Sequence, residues 1–145
     1  MEPNVRWDFR ELLEPMLGHA GYILAQGEGL RPFGARVASG GQVAMIDVAP
    51  DSTGLNPLII DSLYATFRLE ARAGTIRACG VCWDARVPAE DGSGLTDAVA
   101  IGLEHRDAQP TVVVCTYARD GDEIHFHEPI SGLGTRHVFG DILFC

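Results

Sequence analysis

The stretch NPLIIDSLYATFRLEARAG, residues 56–74, contains the clearest helix pattern of the chain, and its apolar face limits which folds are possible. Asn56 is suited to cap a helix, Pro57 to its first turn and Gly74 to its end. Apolar residues recur between them at spacings of three and four: Ile59, Ile60, Leu63, Tyr64, Phe67 and Ala71. This periodicity predicts a helix over Pro57–Ala73 whose apolar face covers a β-sheet.

Short apolar runs on both sides of this helix predict the strands of that sheet. Before the helix, the runs Phe33–Ala38 and Gln42–Val48 flank Ser39-Gly40-Gly41, which is typical of a β-hairpin. After the helix, further strands are expected at Ile76–Val87, Asp97–Arg106, Thr111–Arg119 and Asp122–Glu128, and within His137–Cys145.

A helix is also expected near the N-terminus. Asp8 and Glu11 have the spacing of a capping box, in which each side chain binds a backbone N–H group that is free at the start of a helix, so the helix should begin near Phe9. Pro15 removes a backbone hydrogen bond from the interior of that helix. We therefore expect a kink or a restart at Pro15.

The resulting order is one helix, two strands, a second helix and at least three more strands. This order predicts a single α+β domain over residues 1–145, with a mainly antiparallel sheet of about five to six strands and helices packed on one side. It resembles the element order of profilin-like and roadblock-like modules. A likeness in element order implies nothing about functional residues.

The stretch Arg31–Val37, which contains Pro32-Phe33-Gly34-Ala35, precedes Gly40-Gly41-Gln42-Val43. These residues resemble a group of small bacterial proteins that have a Pro-Phe-Gly-Ala stretch before a β-hairpin. No activity is associated with that group. The resemblance therefore implies no function.

The balance of charges limits the partners. Acidic residues outnumber basic residues by 20 to 11, so the formal charge is -9. Because phosphate backbones and anionic lipids repel such a chain, we expect neither nucleic acid nor membranes as partners. The N-terminus lacks the apolar run of a signal peptide and no apolar run is long enough to span a membrane, so a cytoplasmic location is expected.

The absence of lysine limits the chemistry. All 11 basic residues are arginines, so no lysine can form a Schiff base with pyridoxal phosphate or reach the outer phosphates of a nucleotide. Glycine fingerprints for dinucleotides and the Gly-x-Ser-x-Gly nucleophile elbow are also absent from the sequence. We expect no cofactor.

Cys79 and Cys82 have the spacing of a redox pair or of half a zinc site. Their flanking residues are typical of a strand, on which side chains three positions apart point to opposite faces. No second cysteine pair completes a zinc site. We therefore expect free thiols in the core and no structural zinc.

Glu123, His125 and His127 alternate along one predicted strand, so all three should project from one face. Two imidazoles and a carboxylate are a suitable set for binding a metal or for acid–base work, and the expected register places His105 on the same face, two strands away. The alternative is that these polar residues line a solvated sheet face. They remain the candidate catalytic residues, with His125 and His127 as candidate metal ligands.

Two functions follow from these patterns. The first is a non-catalytic protein-interaction or regulatory module, which forms a homodimer through its apolar C-terminal tail or an adjoining strand edge, or which inhibits a basic protein partner. The second is a small metal-dependent or acid–base enzyme that uses the Glu/His cluster. The sequence alone leaves both open.

Overall fold

The computed structural model describes residues 3–27, 29–47 and 56–139 of the chain. Within these ranges the elements are α1 Pro3–Ala25, β1 Phe33–Ala38, β2 Val43–Ile46, α2 Asn56–Arg72, β3 Ile76–Pro88, β4 Leu95–His105, β5 Ala108–Asp120, β6 Glu123–Phe126 and β7 Ile130–Leu133. No helix in this part of the chain is both long and apolar enough to cross a membrane.

All strands belong to one open antiparallel sheet. Its order is β2-β1-β3-β4-β5, and β6 and β7 both pair with the outer side of β5. Strand β6 runs along Tyr117–Asp120 and β7 along Thr111–Val114, so two short strands share one edge of the sheet. The predicted α+β class, with an antiparallel sheet and helices packed against it, is confirmed, and β7 is a strand that the sequence analysis did not predict.

The two helices cover opposite faces of the sheet, which corrects the expectation that both pack on one side. Gly80 of β3 lies under Met16 of α1, whereas Gly34 of β1 lies under Phe67 of α2. In the register of β1 with β3, Gly34 pairs with Val81, the residue after Gly80. Gly34 and Gly80 therefore face opposite sides of the sheet. Strand β3 buries apolar side chains on both faces, and both faces therefore need a cover.

These two glycines let the helices approach the sheet closely. A Cβ atom built on Gly80 would lie 2.8 Å from the Sδ atom of Met16, and one built on Gly34 would lie 2.9 Å from the ring of Phe67. Both distances are shorter than a normal van der Waals contact. Larger residues at these positions would push the helices away from the sheet.

Helix α1 begins at Pro3 and continues through Pro15 to Ala25, so the predicted start near Phe9 and the predicted restart at Pro15 were wrong. The buried residues on both sides of Pro15 form one stripe against the sheet: Val5, Phe9, Leu12, Met16, Ala20 and Leu24. Pro15 itself is exposed. Burial of this stripe holds the helix together despite the missing backbone hydrogen bond.

Asp8 does not cap α1, because it lies inside the helix with only 1% of its surface exposed. The predicted capping box is therefore wrong. Asp8 lies on the buried side of the helix, next to Phe9. Its hydrogen-bond partners come from the sheet.

Helix α2 agrees with its prediction to within one residue at each end. Its buried residues are Ile59, Leu63, Tyr64 and Phe67, and Gly74 follows it with a positive φ of 73°. Val138 and Phe139 are buried in the same cluster. The expected C-terminal strand is absent over His137–Phe139, and the rest of that prediction lies outside the described residues.

Cys79 and Cys82 point to opposite faces of β3, as predicted. Cys79 packs with the buried residues of α2, and Cys82 packs with the buried residues of α1. Both thiols and that of Cys115 are free and buried. Burial raises the pKa of the Cys79 and Cys82 thiols, so neither forms a thiolate readily.

We expect a Cys145→Ser variant to react slowly with a thiol reagent in the native state, because its three remaining thiols are buried. Unfolding in denaturant should then release three reactive groups. Spectroscopic titration before and after unfolding measures both values. Fast reaction of the native protein would contradict the burial of these thiols. Fewer than three reactive groups after unfolding, in protein purified under reducing conditions, would contradict their free state.

Candidate functional site

His105 lies in the interior with 2% of its surface exposed, on the side of the sheet that α1 covers. Its Nε2 atom is 2.9 Å from Oδ2 of Asp8, and its Nδ1 atom accepts the backbone N–H of Asp107 at 3.1 Å. Nδ1 therefore carries no proton, and Nε2 donates its proton to Asp8. Both ring nitrogens of His105 are occupied by the fold, so the imidazole has no nitrogen left for a substrate.

Arg77 holds the same carboxylate from the sheet. Its Nε and Nη2 atoms donate to Oδ2 and Oδ1 of Asp8 at 2.8 and 2.9 Å. Burial by itself raises the pKa of Asp8, but the hydrogen bonds from Arg77 and His105 and the charge of Arg77 outweigh that effect and lower the pKa below its ordinary value. Asp8, Arg77 and His105 thus form a buried polar cluster that joins α1 to the sheet.

Glu123 and His125 project from the same face of β6, as the sequence predicted, and Oε2 of Glu123 is 3.2 Å from Nε2 of His125. The structure adds Asp120, which the sequence analysis missed. One possible ligand atom from each of Asp120, Glu123 and His125 lies within 4.8 Å of the others. All three side chains are exposed.

The other two predicted site residues lie apart from this group. His127 follows β6, and its Nδ1 atom is 2.8 Å from Oγ1 of Thr116. His105 pairs with Ala108 at one end of β5, whereas Glu123 pairs with Asp120 at the other end. His105 also faces α1, whereas His125 projects from the opposite face of the sheet. The expectation that the two histidines share a face was therefore wrong.

A polar cleft of about 670 Å³ lies beside the second half of α1. His19 and Asp47 meet in it, with Nε2 of His19 2.9 Å from Oδ1 of Asp47. Tyr22 and Asp84 also line the cleft, and burial together with the charge of Asp97 raises the pKa of Asp84. The size suits a small polar molecule, but the residues that follow Asp47 lie outside the described part of the chain.

Glu104 is a buried carboxylate on the α2 side, with 4% of its surface exposed. Its Oε1 atom accepts the backbone N–H groups of His137 and Val138 at 2.9 and 3.0 Å. The His137 ring stacks on Tyr64 with a centroid distance of 4.1 Å, and burial, followed by the charge of Glu104, raises the pKa of Tyr64. These contacts fix the segment that contains Val138 and Phe139 over α2.

Strand β7 is the most exposed apolar feature of the sheet. All four of its residues are exposed, with 65% of Ile130 and 74% of Leu133 open to solvent. Because these two residues are three positions apart, they project from opposite faces of the strand. The outer side of β7 has no strand paired with it among the described residues.

An apolar cleft of about 400 Å³ adjoins this strand on the α1 side. Its walls come from α1, β4 and β5, and Pro129 and Ser131 line it at the sheet edge. The residues with apolar side chains that line it are Phe9, Leu13, Leu103, Val113 and Pro129. Strand β7 and this cleft make one continuous candidate interaction surface.

Comparisons with protein-family models, with curated proteins and with solved structures found no match for this chain. No functional residue is therefore carried over from another protein.

Proposed function

We propose that this protein is a non-catalytic interaction module that forms a homodimer through strand β7. The observation that carries the proposal is the exposure of Ile130 and Leu133 on an edge strand. An edge strand presents unpaired backbone N–H and C=O groups along its outer side, and another strand can pair with them. Exposed apolar side chains on both faces of that edge add area that such pairing would bury.

The two halves of this sheet edge differ in how well they are protected. Strand β6 carries Glu123 and His125, and Pro129 interrupts the edge after it. Charged side chains and proline are common ways to prevent a strand from joining another sheet. Strand β7, Ile130-Ser131-Gly132-Leu133, has neither, and so it is the half that is open to pairing.

The absence of charge on β7 allows a second copy to occupy this edge. The chain carries a formal charge of -9, so two copies repel each other wherever their acidic surfaces face. Strand β7 has no charged residue, and antiparallel pairing of two identical strands obeys the two-fold symmetry of most dimers. An uncharged edge lets two acidic copies meet without placing like charges opposite each other.

Light scattering on the full chain tests this proposal. The wild-type protein at high micromolar concentration should show twice the mass of one chain, and Leu133→Arg should show the mass of one chain, because the new guanidinium cannot be buried between two copies. A truncation after Arg136 is a poorer test, since it removes Val138 and Phe139 from the core.

Leu69→Arg is the matched control. Leu69 on α2 is 67% exposed, close to the 74% of Leu133. Helix α2 packs over β1 and β3, and β4 and β5 separate these strands from β7 in the sheet. This variant should keep the dimer. A monomeric wild-type protein, or equal loss of the dimer in both variants, would overturn the proposal.

A further inference from the structure

We propose that Asp120, Glu123 and His125 bind one divalent transition-metal ion at the end of the β5–β6 hairpin. The three side chains come from two adjacent strands, and their ligand atoms lie within 4.8 Å of one another. Two carboxylate oxygens and one imidazole nitrogen thus converge on one exposed point. This site is independent of the β7 contact proposed above.

The hairpin itself holds the three ligands in place. Asp120 pairs directly with Glu123 in the register of β5 and β6, and His125 follows two positions later on the same face of β6. The connection is short, and Gly121 supplies the positive φ of 62° that it needs. The opposite face of β6 is anchored, because Phe126 and Ile124 pack against the core that contains the buried residues of α1. The ligands therefore project from a backbone that is fixed on its other side.

The pairing of Asp120 with Glu123 is unfavourable unless a cation is nearby. Like charges directly opposite each other on neighbouring strands destabilise a sheet. Among the described residues, no arginine forms an ion pair with either carboxylate, and the guanidinium of Arg119 donates to the carbonyl of Leu24 instead. Within the described part of the chain, His125 is the basic partner of this pair, through its 3.2 Å contact with Glu123. A bound divalent ion would offset the repulsion between the two carboxylates.

The ligand set selects the class of metal. Imidazole suits Zn²⁺, Co²⁺ and Ni²⁺, whereas Mg²⁺ and Ca²⁺ prefer sites made of oxygen atoms alone. The protein supplies three ligands, and because they are exposed, water completes the coordination. Three open, solvated ligands predict a weaker site than a buried structural zinc centre with four.

Calorimetric titration with Zn²⁺ tests the site. The titrated protein is the full chain with Cys145→Ser, which removes a thiol that competes for zinc, after treatment with a chelator. We expect one ion per chain, and His125→Ala should weaken binding by at least the roughly tenfold loss that follows removal of an outer-shell partner. Asp120→Asn should weaken binding as well, and Mg²⁺ should not compete with Zn²⁺.

His127→Ala is the matched control, because His127 is an exposed histidine two positions away that the structure leaves outside the cluster. It should bind Zn²⁺ as the parent protein does. As a second readout, imidazole NMR signals of His125 should shift on addition of Zn²⁺, and those of His127 should not. No binding in the parent protein, or equal losses in His125→Ala and His127→Ala, would overturn the proposal.

Discussion

Replacing Phe67 with alanine is expected to lower the free energy of unfolding by about 3–5 kcal/mol. The ring is fully buried between α2 and the sheet, and it touches Gly34, where no larger residue fits. Because the backbone of β1 is held by strands on both sides, it cannot move in to fill the space that the ring leaves. Urea denaturation, followed by circular dichroism, measures the loss.

Leu69→Ala on the same helix is the control for the effects of an alanine substitution on helix propensity and for differences in sample preparation. Leu69 is 67% exposed, so its replacement should change the free energy of unfolding by no more than about 0.5 kcal/mol. A loss in Phe67→Ala as small as that in Leu69→Ala would mean that α2 does not pack on the sheet as described.

Asp8→Asn is expected to lower the free energy of unfolding by about 3 kcal/mol, because it leaves Arg77 and His105 without a carboxylate. Asparagine keeps the size of the side chain, so the loss reports charge and hydrogen bonding rather than a cavity. Glu14→Gln, an exposed carboxylate change on the same helix, should cost no more than about 0.5 kcal/mol.

The contribution of Asp8 also depends on pH. Its pKa in the folded protein lies below its ordinary value of 3.8, so its stabilisation is complete above that value and is lost as the pH falls through the lower, folded value. The difference in free energy of unfolding between wild type and Asp8→Asn should therefore shrink in acid. A difference that stays constant from neutral pH to acid unfolding would contradict an ionised Asp8 in the folded state.

Much of the fold follows from local patterns. The spacing of apolar residues in α2 and the run of β1 depend on neighbours in the chain, and both elements were predicted closely. Strand β7 has only four residues, one of them glycine, and it exists because β5 is long enough to pair with two strands in succession. No local pattern records the length of a neighbouring strand.

The error at Asp8 has a different cause. Its partners Arg77 and His105 lie 69 and 97 positions away, so the sequence near Asp8 shows only the spacing to Glu11. One signal was present: Asp8 falls among the apolar positions that define the buried stripe of α1. An acidic residue in a stripe of buried apolar positions predicts a buried polar partner, and this prediction was as justified as a helix cap.

The candidate metal site was predicted in part, for a similar reason. Alternation along β6 placed Glu123 and His125 together, because two-residue periodicity is a local property. Asp120 joins them through pairing across the hairpin, and His105 leaves them because the irregular end of β4 and the contact with Asp8 turn it toward α1. Which residues belong to the site depends on the register between neighbouring strands, and alternation within one strand does not determine that register.

Hydrogen–deuterium exchange at two protein concentrations tests most directly the proposed pairing of two copies of the chain through β7. Amide exchange over Ile130–Leu133 should slow as the concentration rises from low to high micromolar, because pairing protects the outward N–H groups of the strand. Exchange in the exposed turn at 89–94 should not change. Equal exchange over Ile130–Leu133 at both concentrations, with the protein a monomer throughout, would contradict the account.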